Sequence, residues 1–416
     1  MNATKCLRAL NKQLFTRLAT APLSRTSLQQ MYAMERSTPA SSLILSLFSS
    51  DATKAQDHVK ILAPMEFLHS ELPIRLCQNI KLLNTRLPFE PIDPQVDAKI
   101  HQITLNLLED ISLLTDLSVP TESHHITQFT SALRVLQARQ LQNLTSLRDC
   151  LNHMMSEQVW KCNHNPSAVQ QKIDHFLMDY LSLNYGTSFL IGQSLNQQDG
   201  FQPVINEISP RLAAAQAIQK AQSWCSQYYC CESPEVTLVG RNSDVSILAA
   251  NNYLQDSLFH VMKHSISSVI EHSKTSGTSS SKMPPLQVRI TEGEEDICLR
   301  VSDLGGGIPM SKVSNLWSQL NASPARSKMA KGLPMTRLIS RYFGGDLEIV
   351  SMEGYGTESY LYLDKKGSIG ECIPAMRTTE EEVDSLTEKI FTQVPRKETA
   401  RPSLNESHSE RVAVTA

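Results

Sequence analysis

Between Pro94 and Pro120 the apolar residues Val96, Ile100, Ile103, Leu107, Ile111 and Leu114 recur every three or four positions, while Asp97, Lys99, Glu109 and Asp110 fall mostly off that stripe. The period puts the apolar set on one helical face, and both prolines stand where a helix boundary tolerates them. Comparable patterns predict helices near 64–83, from about 126 to the late 150s, and over 167–190. Four long helices joined by short links pack most economically as a four-helix bundle.

Past Gly200 the period changes. Pro203, Ser209 and Pro210 mark a link, 212–229 reads as a helix, and 235–239 and 246–249 read as strands. Residues 254–270 return to a helical spacing, followed by a Ser-, Thr- and Gly-rich insertion over 274–285. Alternating apolar and polar residues over 286–290 and 297–301 surround Gly293-Glu294, which predicts a hairpin. Strands 347–350 and 360–363 flank a second turn at Gly354–Gly356. Helices combined with a mixed sheet predict an α/β sandwich behind the bundle. The polar stretch from about Lys365 to Ala416, with scattered Pro and Ser and no Trp, is expected to be disordered. There is no internal repeat.

Composition narrows the class. The 416 residues are enough for two cores, and a formal net charge of −3 offers no global field for phosphate backbones, so no nucleic-acid partner is expected. No apolar run approaches the roughly 20 residues of a membrane-spanning helix. The nine cysteines form no CxxC pair, which removes zinc-ribbon and thioredoxin readings and suits a reducing compartment. Near the N-terminus Lys5, Arg8, Lys12, Arg17, Arg25 and Arg36 are interleaved with small and apolar residues, and Glu35 is the sole acid. That is the pattern of a mitochondrial presequence, here expected over 1–38.

The chemistry lies in three boxes. Asp303-Leu304-Gly305-Gly306-Gly307 follows a predicted strand, Gly332-Leu333-Pro334 opens a helix, and Gly354-Tyr355-Gly356-Thr357 turns into the last strand. A strand-end aspartate accepts a hydrogen bond from an exocyclic amine, glycines let a flat ring approach the backbone, and helix N-termini favour phosphate. In this order the boxes resemble those of the GHKL ATP-binding fold. PMEFLHSELPIRLCQNIKLLNTRLPF (64–89) further resembles the N-terminal helix of the mitochondrial pyruvate dehydrogenase kinases and branched-chain ketoacid dehydrogenase kinases. RYFGGDLEIVSMEGYGTESYLYL (341–363) is similar to the C-terminal part of that family's ATP domain, and the resemblance spans roughly 40–363.

The resemblance implies a bundle over 39–198 that docks and regulates, a GHKL-type ATP-binding domain over 199–365, and a tail over 366–416. It implies ATP and Mg²⁺ as ligands, with Asp303 on the adenine amine, Gly305 and Gly307 beside the base, and Gly332 and Leu333 offering amides to phosphate. Thr357 lies near the adenine and Lys263 belongs to the nucleotide-binding box. The expected activity is that of a mitochondrial-matrix serine kinase, homo- or heterodimeric. It would dock on the lipoyl domain of a 2-oxoacid dehydrogenase complex and phosphorylate the decarboxylase subunit, pyruvate dehydrogenase foremost.

LFHVMKHS (258–265) departs from the family's form. The family's glutamate, its general base, falls on His260, and its magnesium-ligating asparagine falls on His264. The family's Arg-His-Asn element falls on Arg139, Gln140 and Leu141, a further arginine falls on Asn184, and the glycine-rich lid reads Lys328-Met329-Ala330-Lys331 before Gly332. An imidazole, with a reference pKa of about 6.5, accepts a proton at neutral pH; as a magnesium ligand it is poor, because that ion prefers oxygen. The alternative expectation is therefore a pseudokinase that modulates an active paralogue or the complex. A third reading takes the two histidines, four apart on one helical face, as a zinc or manganese pair with His272, Glu271 or Asp256 completing the set.

Overall fold

The computed structural model describes residues 12–36, 52–87, 94–156, 166–199, 204–240, 245–277, 283–318, 332–374 and 379–393. Helices α1 (Lys12–Thr20) and α2 (Leu28–Arg36) precede four long ones: α3 (Ala52–Thr85), α4 (Pro94–Asp116), α5 (Ser123–Ser156) and α6 (Pro166–Gln198). All six residues of the predicted α4 stripe are buried, each contributing about 1.5–3 kcal/mol relative to exposure. Pro94 opens α4 with the φ a first helical turn needs, and Asp97 in that turn meets the positive end of the helix dipole. Helix α3 runs through Pro64 and Pro73, so it begins a dozen residues before its expected start near 64. The four long helices pack side by side around the core that includes Leu72, Leu76, Ile103, Leu107, Phe129, Leu136, Phe176 and Leu183.

The second core belongs to the α/β layer. A short antiparallel pair joins β1 (Ile205–Ile208) to β3 (Ile247–Ala250), and α7 (Pro210–Tyr229) and β2 (Val236–Val239) lie between them in sequence. After α8 (Asn251–Thr275) come β4 (Leu286–Glu292), β5 (Asp296–Asp303), α9 (Met310–Val313), α10 (Leu333–Tyr342), β6 (Asp346–Met352) and β7 (Gly356–Asp364). The sheet runs β2-β4-β5-β7-β6, parallel only between β2 and β4. Helix α7 presents Ala213, Ala214, Ala217 and Ala221 inward, small enough for its axis to approach α8 closely. Val261, Met262, Ile266 and Val269 of α8 then fill the space beneath Val288, Leu299, Val301 and Leu361 of the sheet. A bundle followed by an α/β sandwich is the architecture expected.

Residues 12–36, within the stretch expected as a presequence, pack on the bundle and supply Phe15, Leu18, Ala19 and Met31 to its core. One expectation is corrected. The tail read as disordered from 366 carries helix α11 (Glu380–Gln393), whose Val383, Leu386 and Ile390 join the same core. The spacing of those three, at i, i+3 and i+7, is an ordinary helical stripe. Residues 1–11 and 394–416 lie outside the described residues. Among the described residues no helix is long and apolar enough to cross a membrane.

The arm, the bundle, the α/β layer and the tail meet at one buried ion cluster. Arg75 of α3 donates to Glu71 at 3.0 Å and to both oxygens of Glu371, at 2.5 and 3.3 Å. Tyr342, the last residue of α10, donates to Glu371, and the backbone amides of Ser24 and Thr26 donate to Glu71 and Glu371. Gly186 of α6 lies directly beneath: a Cβ there would stand 1.8 Å from the Tyr342 hydroxyl. Burial works against the charge on Arg75, but Glu371, Tyr342 and Glu71 more than offset it, and its pKa is raised.

Candidate functional site

Strand β5 ends at Asp303, paired in register with Thr357 of β7. Asp303 is 4% exposed. Its Oδ1 accepts the amides of Gly305 at 3.0 Å and Thr357 at 3.3 Å, whereas its Oδ2 is buried with no hydrogen-bond partner. Burial raises the Asp303 pKa, opposed by those two amides and by Ser265 of α8 alongside. A buried acceptor left open costs about 1–3 kcal/mol, so this oxygen is suited to an incoming N–H group.

The glycines after Asp303 are required by close approach. A Cβ on Gly305 would stand 2.7 Å from Cβ of Ser268, and Gly307, at φ +68°, would place one 2.0 Å from the carbonyl of Met352. The loop is pinned to the β6–β7 turn by Gly306 N–H to Tyr355 O, Gly354 N–H to Gly306 O, and Ile308 N–H to Ser351 Oγ. The Ser351 hydroxyl lies 3.0 Å from that of Thr357, itself buried behind the loop.

Helix α8 forms the floor. His260, His264, Ser268 and His272 repeat at intervals of four and so share one face. Ser268 and His272 lie under Gly305 and Gly306, so His264 is one turn further along the same row. The Nδ1 of His264 is buried without a hydrogen-bond partner. Burial lowers its pKa, and Lys263 adds to that against the opposing pull of Glu271, so the imidazole is neutral at pH 7. Another turn back, His260 reaches a cavity of about 200 Å³ between bundle and sandwich. Asn184, Tyr185 and Ser188 of α6 face Asp256 and His260 of α8 and Thr336 of α10 across it, and the Tyr185 hydroxyl has no hydrogen-bond partner.

Gly332 caps α10, whose first residue is Leu333. Pro334 has no amide, which leaves Leu333 and Met335 as the first-turn donors without intrahelical partners. Lys263 is not brought to this group. Its ammonium lies 4.6 Å from the centre of the Trp224 ring, on the α7 side of α8, and burial lowers its pKa. The lid residues Lys328–Lys331 lie outside the described residues. Among the described residues no three His, Cys, Asp or Glu side chains could hold a metal ion, which leaves the histidine pair without the partners that the metal-pair reading needs. Sequence reasoning singled out His260, Asn184 and Asp256 but not Ser265, Ser351 or the rest of the cavity lining. Ser265 follows His264 directly in the same box, but the cavity joins residues from four helices and has no local signal.

Residues 253–367 match the family described as histidine kinase-, DNA gyrase B-, and HSP90-like ATPase. Residues 25–218 match that described as mitochondrial branched-chain alpha-ketoacid dehydrogenase kinase. The chain is 29% identical over 338 residues to the mitochondrial pyruvate dehydrogenase (acetyl-transferring) kinase of Arabidopsis thaliana, covering 76% of this chain and 88% of that one. It is 27% identical over 324 residues to the Drosophila melanogaster kinase of the same name, covering 71% and 76%. To isozyme 4 of Homo sapiens it is 25% identical over 321 residues, covering 71% and 75%.

Proposed function

The chain belongs to the family of mitochondrial kinases that comprises the pyruvate dehydrogenase kinases and branched-chain ketoacid dehydrogenase kinases, with a GHKL-type ATP-binding domain, and from that premise we propose that it binds ATP and regulates the pyruvate dehydrogenase complex in mitochondria by phosphorylation. The observation that carries the reading is the Oδ2 of Asp303, buried without a hydrogen-bond partner at the head of the Gly305–Gly307 loop. In this reading the adenine amine donates to that oxygen, Gly305 and Gly307 flank the base, and Thr357 lies behind it. The Leu333 amide, at the Gly332 boundary of α10, meets phosphate. Lys263 takes no part, since its ammonium is committed to Trp224.

His260 stands where an acceptor side chain entering the junction cavity would arrive. Its imidazole takes the proton of a serine hydroxyl while that oxygen bonds to the terminal phosphorus of ATP. The phosphorus–bridging-oxygen bond breaks and ADP leaves with its electron pair. Magnesium does not fit the residues present, because the side chain at the expected ligand position offers an imidazole nitrogen instead of an oxygen. Residues 39–198 serve as the docking unit for the lipoyl domain, residues 199–365 hold the nucleotide, and the decarboxylase subunit is the substrate. The mitochondrial matrix is the compartment, and the working form is a homo- or heterodimer.

The two imidazoles also favour a second reading, a pseudokinase that keeps the nucleotide fold and modulates an active paralogue. One experiment separates them. Purified chain and ATP, with magnesium or with manganese, are incubated with the intact pyruvate dehydrogenase complex, and the decarboxylase subunit is assayed for phosphoserine together with overall turnover. Phosphoserine with falling turnover is expected; an unmodified subunit overturns the kinase reading, and recovery by the double substitution His260→Glu, His264→Asn then supports the pseudokinase.

A further inference from the structure

We infer that Ser318 couples the nucleotide site to the bundle: its hydrogen bonds to Gln170 and Asp174 of α6 form more completely when the loop after Asp303 is occupied, so a bound nucleotide is felt at the start of a bundle helix. The inference rests on the nucleotide reading above. Ser318 is 3% exposed. Its Oγ accepts from Gln170 Nε2 at 3.0 Å and donates to Asp174 Oδ1 at 3.1 Å. Gln170 Nε2 also donates to Asp174 Oδ2 at 3.0 Å, so the three side chains close a ring across the junction of the two layers.

The run from Asp303 to Ser318 is short and braced at both ends. At its start Gly306 N–H donates to Tyr355 O, and Ile308 N–H donates to Ser351 Oγ. Helix α9 and a 3-10 turn over Ser314–Trp317 fill the middle. At the far end the Trp317 ring centre lies 4.2 Å from the Arg337 guanidinium of α10, which donates to Asp346 at 3.2 Å. Hydrogen-bonded turns pass on a displacement that an extended loop would absorb. Elsewhere the junction includes aromatic contacts, such as those of Tyr185 with Tyr253, Tyr342 and Phe343. These join α6 to α8 and the end of α10, whereas Ser318 joins α6 to the loop. A nucleotide that pins Gly305–Gly307 removes freedom from Ser318 in advance, so the ring with Gln170 and Asp174 loses less entropy on forming. By linkage, a partner that fixes the start of α6 tightens the nucleotide by the same factor.

The test is amide hydrogen exchange of the full chain with and without ATP, read over the first turns of α6, with calorimetry to establish that ATP is bound. In the wild type ATP is expected to slow exchange there by about three- to tenfold, the effect of one or two hydrogen bonds. Ser318→Ala is expected to abolish that response while still binding ATP, and Ser318→Thr, which keeps a hydroxyl, to retain it. Gln170→Ala cuts the same ring from the bundle side and is expected to abolish the response too, so poor folding of one variant leaves the other to decide. Unchanged α6 exchange in the ATP-bound wild type, or an equal response in Ser318→Ala and Gln170→Ala, overturns the inference and leaves nucleotide binding intact. Failure of the wild type to bind ATP removes both.

Discussion

Arg75→Met is expected to destabilise the protein by about 3–5 kcal/mol, the cost of breaking a fully buried ion cluster from its cationic side. Arg75 and Glu371 are both 0% exposed, and Glu71 is 3% exposed. Removing the guanidinium leaves two buried carboxylates close to each other with no cation between them. Glu371→Gln is milder, because Arg75 keeps Glu71 at 3.0 Å and the amide still accepts from Tyr342. Neutralising all three positions at once recovers most of the loss, since a buried cluster replaced whole costs little. Thermal unfolding of the three variants checks the ordering; an Arg75→Met midpoint equal to that of the wild type contradicts it. Because the cluster ties α3, the N-terminal arm, α10 and the C-terminal segment together, its loss is expected to loosen the junction cavity as well.

His260→Ala is expected to lower phosphate transfer to the decarboxylase subunit by ~10²–10⁴-fold, the range for a positioned general base, with ATP affinity unchanged. The separation of the two readouts is what identifies a proton acceptor. His260 lines the cavity shared with Asn184, Ser188 and Thr336, a full two turns along α8 from Ser268 under Gly305. Undiminished transfer in the variant contradicts the assignment, and a parallel fall in ATP affinity assigns the residue to nucleotide binding instead.

The α4 stripe and the β4–β5 hairpin were legible because a single element carries the whole signal. The period of Val96 to Leu114 needs no partner to be read, and Gly293-Glu294 sets the register between the strands it joins. Asp303 was legible for a similar reason: a strand end followed by glycines is a local pattern with a local consequence. The packing of residues 12–36 on the bundle was not legible, because a basic amphipathic helix looks the same whether its apolar face is offered to an import receptor or to a bundle. Glu371 was invisible, being one carboxylate in a polar tail whose partner Arg75 lies 296 residues away. Lys263 keeps its position in the box, but its place over Trp224, on another helix, has no local signal in the sequence. The cavity at His260 follows from the docking of two layers, which no stretch of either layer encodes by itself.

The central claim is that Asp303 anchors a nucleotide on this chain. Calorimetric titration of ATP into the wild type and Asp303→Ala, with thermal unfolding to confirm that both are folded, tests it most directly. The account predicts one ATP per chain for the wild type, and an affinity lower by about ten- to a hundredfold in the variant, as for loss of a hydrogen bond to a charged group. No binding by the wild type, or equal affinity in the two proteins, would contradict it.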